Sequence, residues 1–200
     1  MLRRRDENGR HGDEASAAEQ AEVRLIARVA ARELPAFEEL YRCYHPRLTR
    51  FLDRVTRRPS LVEELLNDTM LVVWNRADSY NGRSKLSTWI FAIAYRKALK
   101  ALQGLDEAVE DPQADQRAAS GPGPEQQAGQ GELRAVLARA MGELSAEHRA
   151  VVDLTYFHGI GYREIAQIVE CPVDTVKTRM FYARRRLRDL LDGQLQDWLP

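Results

Sequence analysis

Two hundred residues, 44% apolar and 30% charged, suit one medium or two small globular domains and exclude a disordered polyelectrolyte. Thirty acids balance thirty bases, so net charge alone points to no nucleic-acid or membrane partner. No apolar run reaches the roughly 18 residues a membrane span needs, and the polar start MLRRRDENGRHGDEASAAEQ has no apolar signal core, so a cytoplasmic chain with no membrane insertion of its own is expected.

Residues 1–20 read as a disordered tail. From Glu22 the periodicity is helical, with Val23, Ile26, Ala27 and Ala30 at helical spacing. Pro35 opens a second helix whose Phe37, Leu40, Tyr41 and Tyr44 share a face. Pro46 is expected to interrupt it before Leu48, Phe51, Leu52 and Val55 resume the pattern. Pro59-Ser60 breaks the chain again, with Ser60 the expected N-cap and Glu63 and Glu64 in the first turn. The stripe Leu61, Leu65, Leu66, Thr69, Val72 and Val73 follows. Asn81-Gly82 signals a turn, and a last helix runs from about Leu86 to Leu102.

Between Gln103 and Gly131 the character changes. The stretch carries GPGP at 121–124 and no core-forming pattern, so a flexible acidic linker is expected. Residues 132–192 are helical again, punctuated by Gly142, Gly159-Ile160-Gly161 and Glu170-Cys171-Pro172 into about four helices. No β pattern or repeat occurs. The expected fold is all-α: two small helical domains, 21–102 and 132–192, on a tether at 103–131.

Cys43 and Cys171 form no CxxC pair, and the histidines have no ligand spacing, so reduced thiols, no metal site and no cofactor are expected. The charge is segregated. Arg83–Leu102 holds five bases and no acid, Gln103–Glu132 seven acids and one base, and Cys171–Leu190 six bases and two acids. Two basic blocks flank an acidic spacer, which is a nucleic-acid signature that the neutral total hides.

The second basic block lies on a helix-turn-helix pattern. YREIAQIV ends near Glu170, and Pro172 suits the start of a new helix with Asp174 at its positive end. The small Ala166 allows close approach, and Val176, ten residues on, plugs the corner. Ile165, Val169, Val173, Met180 and Leu187 complete a core face. The second helix then exposes Thr175, Lys177, Thr178, Phe181, Tyr182, Arg184 and Arg185, a set suited to base edges and phosphates in a major groove. Phe181 and Tyr182 are adjacent, so at least one must leave the core.

In the first domain, Trp89, Phe91 and Tyr95 alternate with Arg96, Lys97 and Lys100, behind the loop Tyr80, Asn81, Gly82, Arg83, Ser84 and Lys85. Bases bind phosphates and aromatics stack on unpaired bases, so single-stranded DNA is one reading; a core role for the aromatics is the other. A polar loop beside them can hold a flipped base by its edge.

LVEELLNDTMLVVWNRADSYNGRSKLSTWIFAIAYRKALKAL and LSAEHRAVVDLTYFHGIGYREIAQIVECPVDTVKTRMFYARRRLRDLL resemble, in that order, the second and fourth regions of extracytoplasmic-function (ECF) sigma factors, group 4 of the main bacterial sigma family. The resemblance implies a promoter-recognition subunit of RNA polymerase with no catalytic site. It implies that Glu64, Asn67, Asp68 and Leu71 dock on the coiled coil of the polymerase's largest subunit, with the flap as a further polymerase contact. It assigns Tyr80, Asn81, Gly82, Ser84, Lys85, Arg96, Lys97 and Lys100 to the −10 element, and Lys177, Thr178, Phe181 and Tyr182 to the −35 element. A cognate anti-sigma factor is a further implied partner. Glu170 stands where Gly is common, so a strained corner is expected. The alternative is a stand-alone helix-turn-helix regulator, which leaves the basic–aromatic helix without a role. An enzyme is the third reading, with no phosphate loop, metal cluster or nucleophile–base pair to support it.

Overall fold

In the computed structural model, residues 4–110 and 130–196 are described, with side-chain surroundings for 17–105 and 136–191. Most of the expected linker therefore lies outside the described residues. All the regular structure among them is helical.

The N-terminal domain holds α1 (Arg4–Ala30), α2 (Leu34–Thr56), α3 (Pro59–Arg76), a single 3₁₀ turn (Ala77–Ser79) and α4 (Leu86–Glu110). The backbone of α1 begins inside the stretch expected to be a tail. Its buried contacts come from Ile26 and Val29. α4 continues beyond Leu102 to Glu110, so the helix extends into the expected linker.

Two boundary expectations fail. Pro46 does not interrupt its helix but lies inside α2. A proline removes one backbone donor locally. Against that loss stand Leu40, Tyr44, Leu48, Phe51, Leu52 and Val55, all buried along one face on both sides of it. Ser60 is not the N-cap of α3 either. Arg58 occupies that position without a side-chain cap bond, and Pro59 opens the helix, where its missing N–H costs nothing.

The C-terminal domain holds α5 (Gln130–Gly142), α6 (Ala146–Tyr156), α7 (Tyr162–Ile168) and α8 (Val173–Gln196). Ser145 caps α6 by accepting from the His148 N–H at 3.3 Å. Ile165, Ile168, Val169, Val176, Met180 and Ala183 form the buried centre where α7 meets α8.

The two domains do not stand apart. α2 packs on α6 and α4 on α7, and one continuous apolar core joins Phe51 and Phe91 to Leu154 and Ile165. The imidazole of His158, from the loop after α6, lies against Phe91 (ring centroids 4.7 Å apart) and Phe51 (6.2 Å).

Candidate nucleic-acid interface

On α3, Val62, Leu65, Leu66, Thr69, Met70 and Val73 point inward. The opposite face therefore presents Glu64, Asn67, Asp68 and Leu71, all exposed, at the i, i+3, i+4 and i+7 spacing of one helical stripe. Leu71 is 56% exposed, a large apolar residue flanked by acids and an amide. Asn67 Oδ1 accepts from the Tyr41 hydroxyl at 3.1 Å, which fixes the amide. Asp68 Oδ2 meets Lys97 Nζ at 2.7 Å. That pair ties the acidic ridge to the basic face of α4, so residues expected to meet polymerase and residues expected to meet DNA are neighbours.

The loop between the 3₁₀ turn and α4 is built by its own polar groups. Asn81 Oδ1 accepts from the Arg83 N–H at 3.0 Å, an Asx turn, and Gly82 takes φ +69°, which a side chain would disfavour. The Tyr80 hydroxyl donates to the Ser84 carbonyl at 2.7 Å, closing the loop, and its ring leans on Trp89 with centroids 5.7 Å apart. Burial, with Glu19 and Glu22 nearby, raises the Tyr80 pKa, so the phenol remains a donor at neutral pH. Asn81, Gly82, Arg83 and Lys85 are exposed and Ser84 is half-buried.

The alternating aromatics of α4 divide. Phe91 and Tyr95 are core residues, Phe91 edge-on to Phe51. Stacking surface is left only to Trp89 and Tyr80, both half-buried. Arg96 and Lys100 are exposed, and Lys97 is half-buried beside Asp68.

At the helix-turn-helix, the corner is held by the Cys171 N–H donating to the Ala166 carbonyl (3.1 Å) and the Val169 N–H to that of Ile165 (2.9 Å). Glu170 takes φ +52°, the left-handed conformation that its replacement of a glycine led us to expect. Val176 is fully buried as the corner plug. Outward from α8 stand Lys177, Thr178, Phe181, Tyr182, Arg184 and Arg185, with Thr175 half-buried. Phe181 and Tyr182 are both out of the core, 62% and 54% exposed, with rings edge-to-face at 5.5 Å. Two exposed aromatics thus stand beside the three cations Lys177, Arg184 and Arg185 on one outward face. Lys177 Nζ rests on Asp174 at 2.9 Å, and Arg184 Nε donates to the Tyr156 hydroxyl at 2.9 Å.

Three cross-domain ion pairs were not legible in the sequence. Lys85 Nζ meets Glu164 Oε1 at 2.7 Å, Arg96 pairs with Glu170, and Arg54 Nη1 meets the buried Asp153 at 2.8 Å. The hydrogen bond to Glu164 raises the Lys85 pKa. Arg149 of α6 is buried and donates to the Val55 carbonyl near the C-terminus of α2 through Nε (3.0 Å) and Nη2 (2.8 Å), and also to Leu144. The available signal was RAVVD at 149–153, two opposite charges four apart with three apolar residues between them. Among the described residues, no cluster of ligands suits a metal ion.

Comparison with known proteins follows the same division of the chain. The model of Sigma-70 region 2 matches residues 40–107, and that of Sigma-70, region 4 matches residues 134–187. The ECF RNA polymerase sigma factor SigK of Mycobacterium sp. (strain KMS) is 28% identical over 172 residues, covering 84% of this chain and 89% of SigK. The ECF RNA polymerase sigma factor RpoE of Cereibacter sphaeroides is 29% identical over 164 residues, 78% and 87% of the two chains. Among solved structures, the sigma factor RpoE crystallised with the anti-sigma factor NepR from Bartonella quintana superposes with a TM-score of 0.67 at 26% identity, covering 78% of this chain and 96% of RpoE. CnrH, solved with the cytosolic domain of CnrY, shares the fold at TM-score 0.65 and 23% identity, covering 86% of this chain and 98% of CnrH. The two region models fall on the two helical domains in order, and the chain belongs to the sigma-70 family as an ECF RNA polymerase sigma factor.

Proposed function

We propose that this sigma factor docks on core RNA polymerase through Glu64, Asn67, Asp68 and Leu71 and directs it to promoters with a −10 and a −35 element. The loop Tyr80–Lys85 holds a flipped base of the −10 strand, with Arg96, Lys97 and Lys100 along its backbone. α8 enters the −35 major groove, Lys177 and Thr178 at base edges, Phe181 and Tyr182 against apolar base surface, Arg184 and Arg185 at phosphates. A cognate anti-sigma factor is the expected inhibitor, since the ridge, the loop and α8 all present contact surface. A cytoplasmic site of action fits a chain in which no described helix is long and apolar enough to cross a membrane.

The observation that carries this reading is the shared location of an apolar–acidic ridge on α3 and the basic face of α4, linked by Lys97–Asp68, with a self-ordered loop at the start of α4. A regulator acting alone has no use for the ridge. The test is a pull-down of core polymerase by folded variants. Asp68→Lys and Glu64→Lys should each weaken capture at least several-fold while melting like wild type. Unchanged capture by both removes α3 as the docking element.

A further inference from the structure

Where the second half of α2 meets the loop after α6, the structure holds a cavity of about 190 Å³. Arg47, Arg50 and Arg54 of α2 line it, together with Phe157 and His158. The three arginines stand at i, i+3 and i+7, so a single helical stripe presents them all. None of the five residues belongs to the docking ridge, the −10 loop or the outward face of α8, and the promoter reading gives them no role.

The lining is ordered by its own contacts. Arg54 Nη1 meets Asp153 Oδ1 at 2.8 Å, and its guanidinium lies 3.7 Å from the centre of the Phe157 ring. Asp153 is fully buried, and its other oxygen lies 3.1 Å from His158 Nε2 without hydrogen-bond alignment. One buried carboxylate thus sits behind two of the lining residues. Arg47 rests on aromatic faces, 4.9 Å from the Tyr44 ring centre and 5.5 Å from that of Phe91. Arg50 Nε donates to the Pro46 carbonyl of its own helix at 2.8 Å. Among the described residues, neither Arg47 nor Arg50 forms an ion pair, whereas Arg42 of the same helix has Glu38.

Three guanidinium groups against one carboxylate leave two positive charges in excess on the cavity wall, before any proton on His158. A single carboxylate from a ligand would offset half of that excess. Two linked phosphoryl groups offset all of it, and guanidinium forks pair with phosphoryl oxygens two bonds at a time. The cavity is smaller than the roughly 300–1,000 Å³ that encloses a drug-sized ligand, so a diphosphate group fits inside and a whole nucleotide does not. Phe157 is exposed and offers ring surface to a base left outside.

We propose that this arginine cavity binds a diphosphate group, either free pyrophosphate or the diphosphate end of a nucleotide. Arg47 and Arg50 grip the phosphoryl oxygens, and Arg54, held by Asp153, supplies a fixed third charge. The site is independent of the promoter assignments.

The test is isothermal titration of the full chain with inorganic pyrophosphate, and separately with ADP, in magnesium-free buffer at constant ionic strength. Wild type should bind pyrophosphate saturably at one site per chain. Arg47→Gln with Arg50→Gln should weaken binding at least ten-fold. Arg50→Gln alone, which changes an exposed side chain and should melt like wild type, should weaken it at least three-fold. The control Arg184→Gln with Arg185→Gln, on the basic face of α8, should bind as wild type does. Tighter binding of ADP than of pyrophosphate supports a nucleotide as the source of the diphosphate, and the reverse order supports free pyrophosphate. No saturable binding of either ligand overturns the site. An equal loss in the α8 control overturns it too, because binding would then follow overall charge.

Discussion

At the scale of single residues, function depends on which side chains are free to leave their present partners. Lys177 is exposed and held only by Asp174, a surface pair worth a few tenths to about 1 kcal/mol, which a guanine edge can outbid. Lys177→Ala should cost about 1–3 kcal/mol of −35 affinity, seen as relaxed preference at one base position in a holoenzyme binding assay. A uniform loss over all sequences would instead make Lys177 a phosphate contact. His148 offers a different test. Burial, with the charge of Arg179 nearby, holds its pKa below the usual 6.5. The unfolded chain therefore takes up this proton first as pH falls. The neutral histidine's full stability is present above about 6.5 and declines as pH drops from there toward the folded pKa. The melting temperature should fall between about pH 7.5 and 5.5, with a shallower fall in His148→Gln. Parallel slopes for the two proteins would show that another group carries the effect.

At the scale of elements, packing overrules local signals. Pro46 reads as a break because proline chemistry acts on one or two residues, whereas α2 buries one face over its whole length; the break at Pro59 is present, but the proline itself opens α3 and leaves Ser60 inside the helix. The helix-turn-helix was legible for the converse reason. Its requirement is a fixed spacing of small Ala166, left-handed residue 170 and plug Val176, and spacing is written directly in sequence. The α4 aromatics were ambiguous because alternation with bases is common to a core helix and a stacking platform; only the fold shows Phe91 and Tyr95 inside. Because Ile165 is fully buried at the α7–α8 centre, Ile165→Ala should destabilise the C-terminal domain by about 2–5 kcal/mol. Core capture through α3 should persist while −35 binding is lost. Simultaneous loss of both would show that the domains fold as one unit.

At the scale of the whole molecule, the sequence reads as two domains on a tether, and the structure joins them through a shared core. That contact could not be read from sequence, because Arg149 and Asp153 find their partners about a hundred residues away, at Val55 and Arg54. The proposed −10 and −35 surfaces lie on different domains, so mutations in them should fail differently. The Lys177→Ala defect should be largely bypassed on a template already opened as a bubble. Changing Asn81 and Arg96 to Ala should impair strand opening, visible by permanganate footprinting, even where duplex binding persists. Equal failure of Lys177→Ala on bubble and duplex would contradict the division of labour. The most direct measurement is run-off transcription by core polymerase on genomic fragments, including the region upstream of this chain's own gene. Discrete transcripts should appear only when the chain is added and should be lost with Asp68→Lys. Duplex binding by the chain alone, with no new transcripts from core polymerase, would contradict the account.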